Sequence, residues 1–135
     1  MLGEVRDPEG ASVLFDAMRV GAGDGAVLGT IHGAGAAAVR ERVVSEFGLD
    51  GVAFRAADCV VTLEPSREGR RLRSVEEVFA GREAPAFEPL YDGEPTGRVA
   101  RGQSSLVADL TGPDETYATV RDRLAERHDW FVSES

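Results

Sequence analysis

Met1-Leu2-Gly3-Glu4-Val5-Arg6-Asp7-Pro8-Glu9 begins the chain and decides how the rest of it reads. An apolar stub runs at once into Gly-Glu-x-Arg-Asp. Asp7-Pro8-Glu9 is a strong helix start: Asp7 suits the cap, Pro8 the first helical position, and Glu9 the positive end of the helix dipole. Ala11, Leu14, Phe15 and Met18 then recur at helical spacing on one face. Gly21 and Gly23 end that helix and Asp24-Gly25 turns the chain. The short apolar run Ala26 to Ile31, leaving through Gly33-Ala34-Gly35, predicts a buried strand. A second helix is expected from Ala36 to Phe47, with Val39, Val43, Val44 and Phe47 as its stripe and Gly48 closing it. Asp58 to Leu63 is β-branched and bounded by Pro65, a further strand. This alternation of strand and helix predicts a parallel sheet with crossover helices, its first strand reduced to Met1 and Leu2.

The second half changes character. Arg67-Glu68-Gly69-Arg70 reads as a turn, and Arg71 to Phe79 as an antiparallel strand. Residues 80–103 carry Pro85, Pro89 and Pro95 and read as a loop with one strand near Phe87 to Tyr91. A short helix is expected from Ser104 to Leu110. Thr111-Gly112-Pro113-Asp114 has capping-box spacing ahead of a terminal helix marked by Tyr117, Val120, Leu124 and Phe131, with Trp130 beside its end. Arg70, Arg71 and Arg73 form a small basic cluster, read first as a solvated strand end and otherwise as a contact for a neighbouring subunit or acidic lipid.

At 135 residues the chain is one domain's worth, or a piece of a larger domain. Its 42% apolar content is that of a globular protein rather than a disordered one. No apolar run approaches a membrane span, and the N-terminus has no secretory signal pattern, so a cytoplasmic location is expected. Cys59 is the single cysteine, which excludes an intrachain disulfide, and no Cys/His spacing suits zinc; no metal site is expected. The net charge is −9, and every one of the 15 basic residues is arginine. Such a surface argues against nucleic acid as a partner, because phosphate contacts need a basic stripe. It also suits a salt-rich cytoplasm.

Two positions invite a chemical reading. Glu4 lies between the apolar stub and the helix start, where a carboxylate at the end of a core strand could polarise an attacking water; judged alone, it reads first as a solvated loop residue. His32 follows Thr30 at the end of the next expected strand. Polar groups ending adjacent parallel strands point into one crevice, and there His32 could sense a γ-phosphate; a loop histidine with no role is the bland alternative. Arg6 could bind phosphate, pair with Asp7, or lie in solvent. No G-x-x-x-x-G-K-[ST] phosphate loop occurs anywhere in the chain.

Gly3-Glu4-Val5-Arg6-Asp7-Pro8-Glu9, Phe15-Asp16-Ala17-Met18-Arg19-Val20-Gly21, Gly29-Thr30-Ile31-His32-Gly33 and Ala38-Val39-Arg40-Glu41-Arg42 together resemble the secretion ATPase family, the hexameric P-loop motors of type II and type IV secretion, pilus assembly and the archaellum. The Gly-Glu-x-Arg segment resembles the Walker B region, with Glu4 in the place of the catalytic glutamate. Thr30-Ile31-His32 resembles the His box. The lysine-free, acidic composition is most similar to archaeal members.

The resemblance implies an α/β fold: part of a RecA-like P-loop NTPase core over residues 1–65, followed by a smaller α+β C-terminal subdomain over 66–135. It implies catalytic roles for Glu4 and His32, nucleotide contacts from Arg6 and Thr30, and ATP with Mg2+ in the full-length protein. It further implies a homo-hexamer, or docking on an intact secretion ATPase, at the inner face of the membrane beneath a polytopic platform protein. The Walker A loop and acidic box of the family are absent from this sequence. The chain therefore reads as the C-terminal part of a motor whose reading frame was truncated, split or begun at an internal Met. It is expected not to bind ATP tightly alone, and to be marginally stable because of open strand edges. The alternative is a non-catalytic regulatory or remnant module that docks on an intact motor.

Overall fold

The computed structural model describes residues 2–21, 26–80 and 85–133. Strand β1 (Leu2–Glu4) leads into helix α1 (Pro8–Val20), which returns the chain to β2 (Leu28–Thr30). The helix starts as its sequence dictates: the Asp7 side chain accepts from the Gly10 amide at 2.7 Å, Pro8 follows, and Gly21 ends the helix at φ +88°. β1 and β2 pair in parallel, with Leu2 opposite Leu28, Gly3 opposite Gly29 and Glu4 opposite Thr30. Gly29 is required by close approach, since a Cβ there would overlap the Leu14 side chain of α1. The expected turn at Asp24-Gly25 lies outside the described residues.

Helix α2 (Ala36–Glu41) continues into a wider turn over Arg42–Glu46, closed by a bond from the Phe47 amide to the Arg42 carbonyl at 3.1 Å. A 3₁₀ turn (Gly51–Ala56) follows, capped by Asp50. Three strands then form one antiparallel sheet in the order β3 (Cys59–Ser66), β4 (Gly69–Ala80), β5 (Pro85–Asp92). Helices α3 (Ser105–Leu110) and α4 (Tyr117–Ser133) complete the chain. No helix of the described residues is long and apolar enough to cross a membrane.

This architecture corrects the expected fold class. The largest sheet is antiparallel, and the chain is not a parallel-strand RecA-like core. The strand–helix–strand alternation correctly suggests one crossover, β1–α1–β2, but β3 does not extend that pair. It turns back through Arg67 and Glu68 into β4, and a two-residue connection permits only antiparallel pairing. Gly69, at φ +120°, supplies the backbone conformation the turn needs. Pro65 does not bound β3 but lies within it, as an edge strand allows.

The core gathers on one face of the antiparallel sheet. Phe15 from α1, Val39 and Val43 from α2 and its extension, Phe54, Ala57 and Val78 form one cluster. Phe54 is its centre, with ring centroids 5.4 Å from Phe15 and 5.8 Å edge-on from Phe87 of β5. Val5, Ala11 and Leu14 form a smaller cluster that shares Met18, Ile31, Phe47 and Leu49 with the first. β2 is not the buried strand its apolar run predicts: Leu28, Gly29 and Thr30 are exposed, Leu28 by 61%. Among the described residues only β1 pairs with β2, so the outward sides of this strand face solvent.

The opposite face of the antiparallel sheet is covered in part, around Glu77, by α3 and Arg98 through a buried ionic cluster. Glu77 is fully buried and sits across from Glu88 on the neighbouring strand. Like charges so placed repel. Arg98 relieves the pair, with its guanidinium 4.0 Å from Glu77 and 3.8 Å from Glu88. Glu77 Oε2 also accepts from Ser105 Oγ at 2.5 Å and from the Leu106 amide at 2.9 Å, at the start of α3. Ser104 caps α3 through the Val107 amide. The cap of α4 is Thr116, whose hydroxyl accepts from the Thr119 amide, rather than the Thr111 that capping-box spacing suggests; Thr111 instead donates to the Val107 carbonyl at the end of α3. The Trp130 and Phe131 side chains lie outside the described residues.

Candidate functional site

The parallel register of β1 and β2 puts Glu4 directly across from Thr30, at the carboxyl ends of both strands. The Val5 amide donates to the Thr30 carbonyl at 2.7 Å, so the pairing extends one residue past Glu4 and fixes its backbone. Glu4 and Arg6 lie on the same side of the extended chain, and the Arg6 guanidinium donates to Glu4 Oε2 at 2.8 Å. Arg6 thus pairs with Glu4 and not with Asp7, whose side chain is committed to capping α1. The hydrogen bond and charge of Arg6 hold the Glu4 carboxyl below its usual value, with a smaller contribution from His32. The same contact raises Arg6. Glu4 is therefore a carboxylate at neutral pH, a weak proton acceptor but a persistent hydrogen-bond acceptor for water.

His32 is exposed, just beyond β2, within electrostatic reach of Glu4. Its backbone is anchored from the turn that extends α2: Arg42 Nη1 donates to the His32 carbonyl at 3.0 Å. Arg42 is itself held by Glu46 at 3.2 Å and by the face of Phe47, 5.4 Å from the ring centroid. Glu76 of β4 anchors the other end of this loop, accepting from the Ala36 amide at 2.9 Å at the start of α2. Arg42 and Glu76 position the site without touching Glu4. Arg42 falls inside the Ala38–Arg42 motif, whereas Glu76 carries no local signal, since its partner lies on a different element.

A cleft of about 360 Å³ lies beside Glu4, lined by Val5, Asp7, Glu9, Gly10, Val13 and Leu14. Its charged groups are all acidic, and Arg6 beside it is already neutralised by Glu4. An acidic lining of this kind repels a polyanion. Among the described residues, no group of three His, Cys, Asp or Glu side chains converges as a cation site. The structure brings Glu4, Arg6, Thr30 and His32 to one edge of the molecule and leaves that edge open.

Two of the three arginines in the basic cluster of the second half, Arg70, Arg71 and Arg73, are in ion pairs. Arg71 and Arg73 both meet Glu64 of β3, so neither is a free anion contact. Comparison with protein families finds none that matches this chain, and comparison with curated proteins finds no matching protein.

Proposed function

We propose that this chain is the water-orienting, C-terminal part of a secretion or pilus-assembly motor ATPase, working with a phosphate-binding loop that its 135 residues do not contain. The supporting observation is the register of Glu4 against Thr30, with Arg6 and His32 beside them. In this reading Glu4, kept ionised by Arg6, orients the attacking water by accepting its hydrogen bond. His32 answers to the γ-phosphate oxygens, and Thr30 supplies a hydroxyl next to them. Arg6, on leaving Glu4, becomes available to the nucleotide or to a neighbouring subunit. The assembled motor is a hexamer at the inner face of the membrane, under a polytopic platform protein.

The test is turnover in the motor that carries both the phosphate loop and this chain. Glu4→Gln should lower kcat by about 100-fold or more while ATP affinity changes little. Unchanged turnover would remove Glu4 from the mechanism.

A second reading is a non-catalytic module that docks on an intact motor and tunes its ring. The acidic cleft and the occupied Arg6 favour it, because neither invites a nucleotide. Under this reading the added chain changes the oligomer distribution of the intact motor, and Glu4→Gln leaves that effect in place.

A further inference from the structure

Strand β3 forms an edge that is unguarded from Cys59 to Leu63. β4 pairs with one side of it, and among the described residues no backbone group pairs with the other. Folded proteins blunt such edges with charges, prolines or a covering element. Here Cys59 to Leu63 contains no charge and no proline; the first of either is Glu64, followed by Pro65. Exposure alternates from Cys59 to Pro65. Thr62 is buried toward the core, whereas Val61 and Leu63 are 54% and 53% exposed on the outward face. Leu72, the cross-strand partner of Leu63, widens this apolar strip and is 40% exposed.

We propose that β3 pairs antiparallel with β3 of a second copy of this chain, joining two three-stranded sheets into one of six strands across a two-fold axis. An antiparallel edge is its own complement under that symmetry. Charge selects the same partner. Two copies at −9 repel in general, but the β3–β4 hairpin over 59–75 carries four arginines, Arg67, Arg70, Arg71 and Arg73, against two acids, Glu64 and Glu68. It is a locally positive element on an acidic chain, and an antiparallel pairing lays each positive tip beside Asp58 of the other copy.

The register follows from the side chains. Opposed residues share a face, so the apolar strips become continuous only when the axis passes through a residue rather than between two. An axis at Val61 would set Asp58 against Glu64 of the other copy, a like-charge pair. An axis at Thr62 opposes Val61 to Leu63 and Val60 to Glu64. Glu64 is already neutralised there by Arg71 and Arg73. With Thr62 on the axis, the two Cys59 residues lie six strand positions apart, about 20 Å between Cα atoms.

The experiment is sedimentation equilibrium of the full chain, with a nitroxide distance measurement on Cys59, the single cysteine and an exposed one. The mass should rise from 14.4 kDa to twice that value as concentration increases, with a midpoint in the range of about 10–100 µM expected for a small interface. The distance distribution should centre near 20 Å. The double variant Val61→Lys, Leu63→Lys should weaken the dimer by at least about tenfold. Leu110→Lys, at an apolar residue 65% exposed on α3, should leave it unchanged. A monomer at every concentration overturns the proposal. So does an oligomer that Val61→Lys, Leu63→Lys leaves intact, one that Leu110→Lys disrupts equally, or a Cys59 separation far from 20 Å. The distance on the unmodified sequence keeps the proposal falsifiable if the double variant fails to fold.

Discussion

The β1–β2 pair and the β3–β5 sheet are built on opposite terms. The first joins two strands of three residues each, in parallel, through a helix, and its second strand is exposed along its length. The second joins strands of eight, twelve and eight residues, with a tight turn between the first two, and packs one face on the main core. The candidate chemistry sits on the weaker of the two. Polar groups at a strand end are accessible because little covers them, and the long antiparallel sheet supplies stability that the short pair does not.

The largest effect should come from breaking the link between the regions. Phe54 is 1% exposed and touches Phe15 on the helix behind β1 and Phe87 on β5. Phe54→Ala should cost about 3–5 kcal/mol, and thermal melts should show both regions lost together. Separate melting of the two would mean that the shared core does not couple them. A smaller and more local effect is expected at Gly29. Gly29→Ala forces a Cβ against Leu14 and should cost about 1–3 kcal/mol. Amide exchange should speed up at Val5 and in α1 while β4 stays protected; equal loss of protection in β4 would erase the distinction between the regions.

The smallest effect is a pH dependence to which the C-terminal helices contribute through Glu115. Glu115 is held below its ordinary value of 4.5, chiefly by Arg123 and then by the Gly112 amide. A depressed carboxyl adds stability above its unfolded value, and that stability fades as pH falls through the folded one. Helicity should therefore decline below pH 4.5 by a component that Glu115→Gln removes and that salt weakens. Glu4 shifts in the same direction, so only the Glu115 variant assigns the component to α4.

How much could be read in advance depends on how local each determinant is. Asp7, Pro8 and Gly21 announce α1 because capping acts within one turn of the chain. The Arg67-Glu68-Gly69 turn is equally local, yet its consequence is not: once it reverses the chain, β3 belongs to β4 and no longer to β2. Strand identity was legible, and so was the β1–β2 pair, but the place of β3 was not, because it depends on which face Phe54 and Val78 bury. Glu4 and His32 could be singled out from their motifs. Arg42, ten residues beyond His32, lies in a motif as well, whereas Glu76, which holds the start of α2 from β4, acts across elements and leaves no mark at short range.

The buried Glu77 also constrains the order in which the molecule assembles. The β3–β4–β5 hairpins have short sequence separations and can form early. A sheet formed alone, however, would set Glu77 against Glu88 with no counter-charge. Arg98 supplies that charge, and the first turn of α3 supplies the donors to Glu77 Oε2. The central strand therefore reaches its final stability only when residues 98–106 arrive, so a chain still emerging during synthesis would hold its sheet loosely until that stretch is free to fold back.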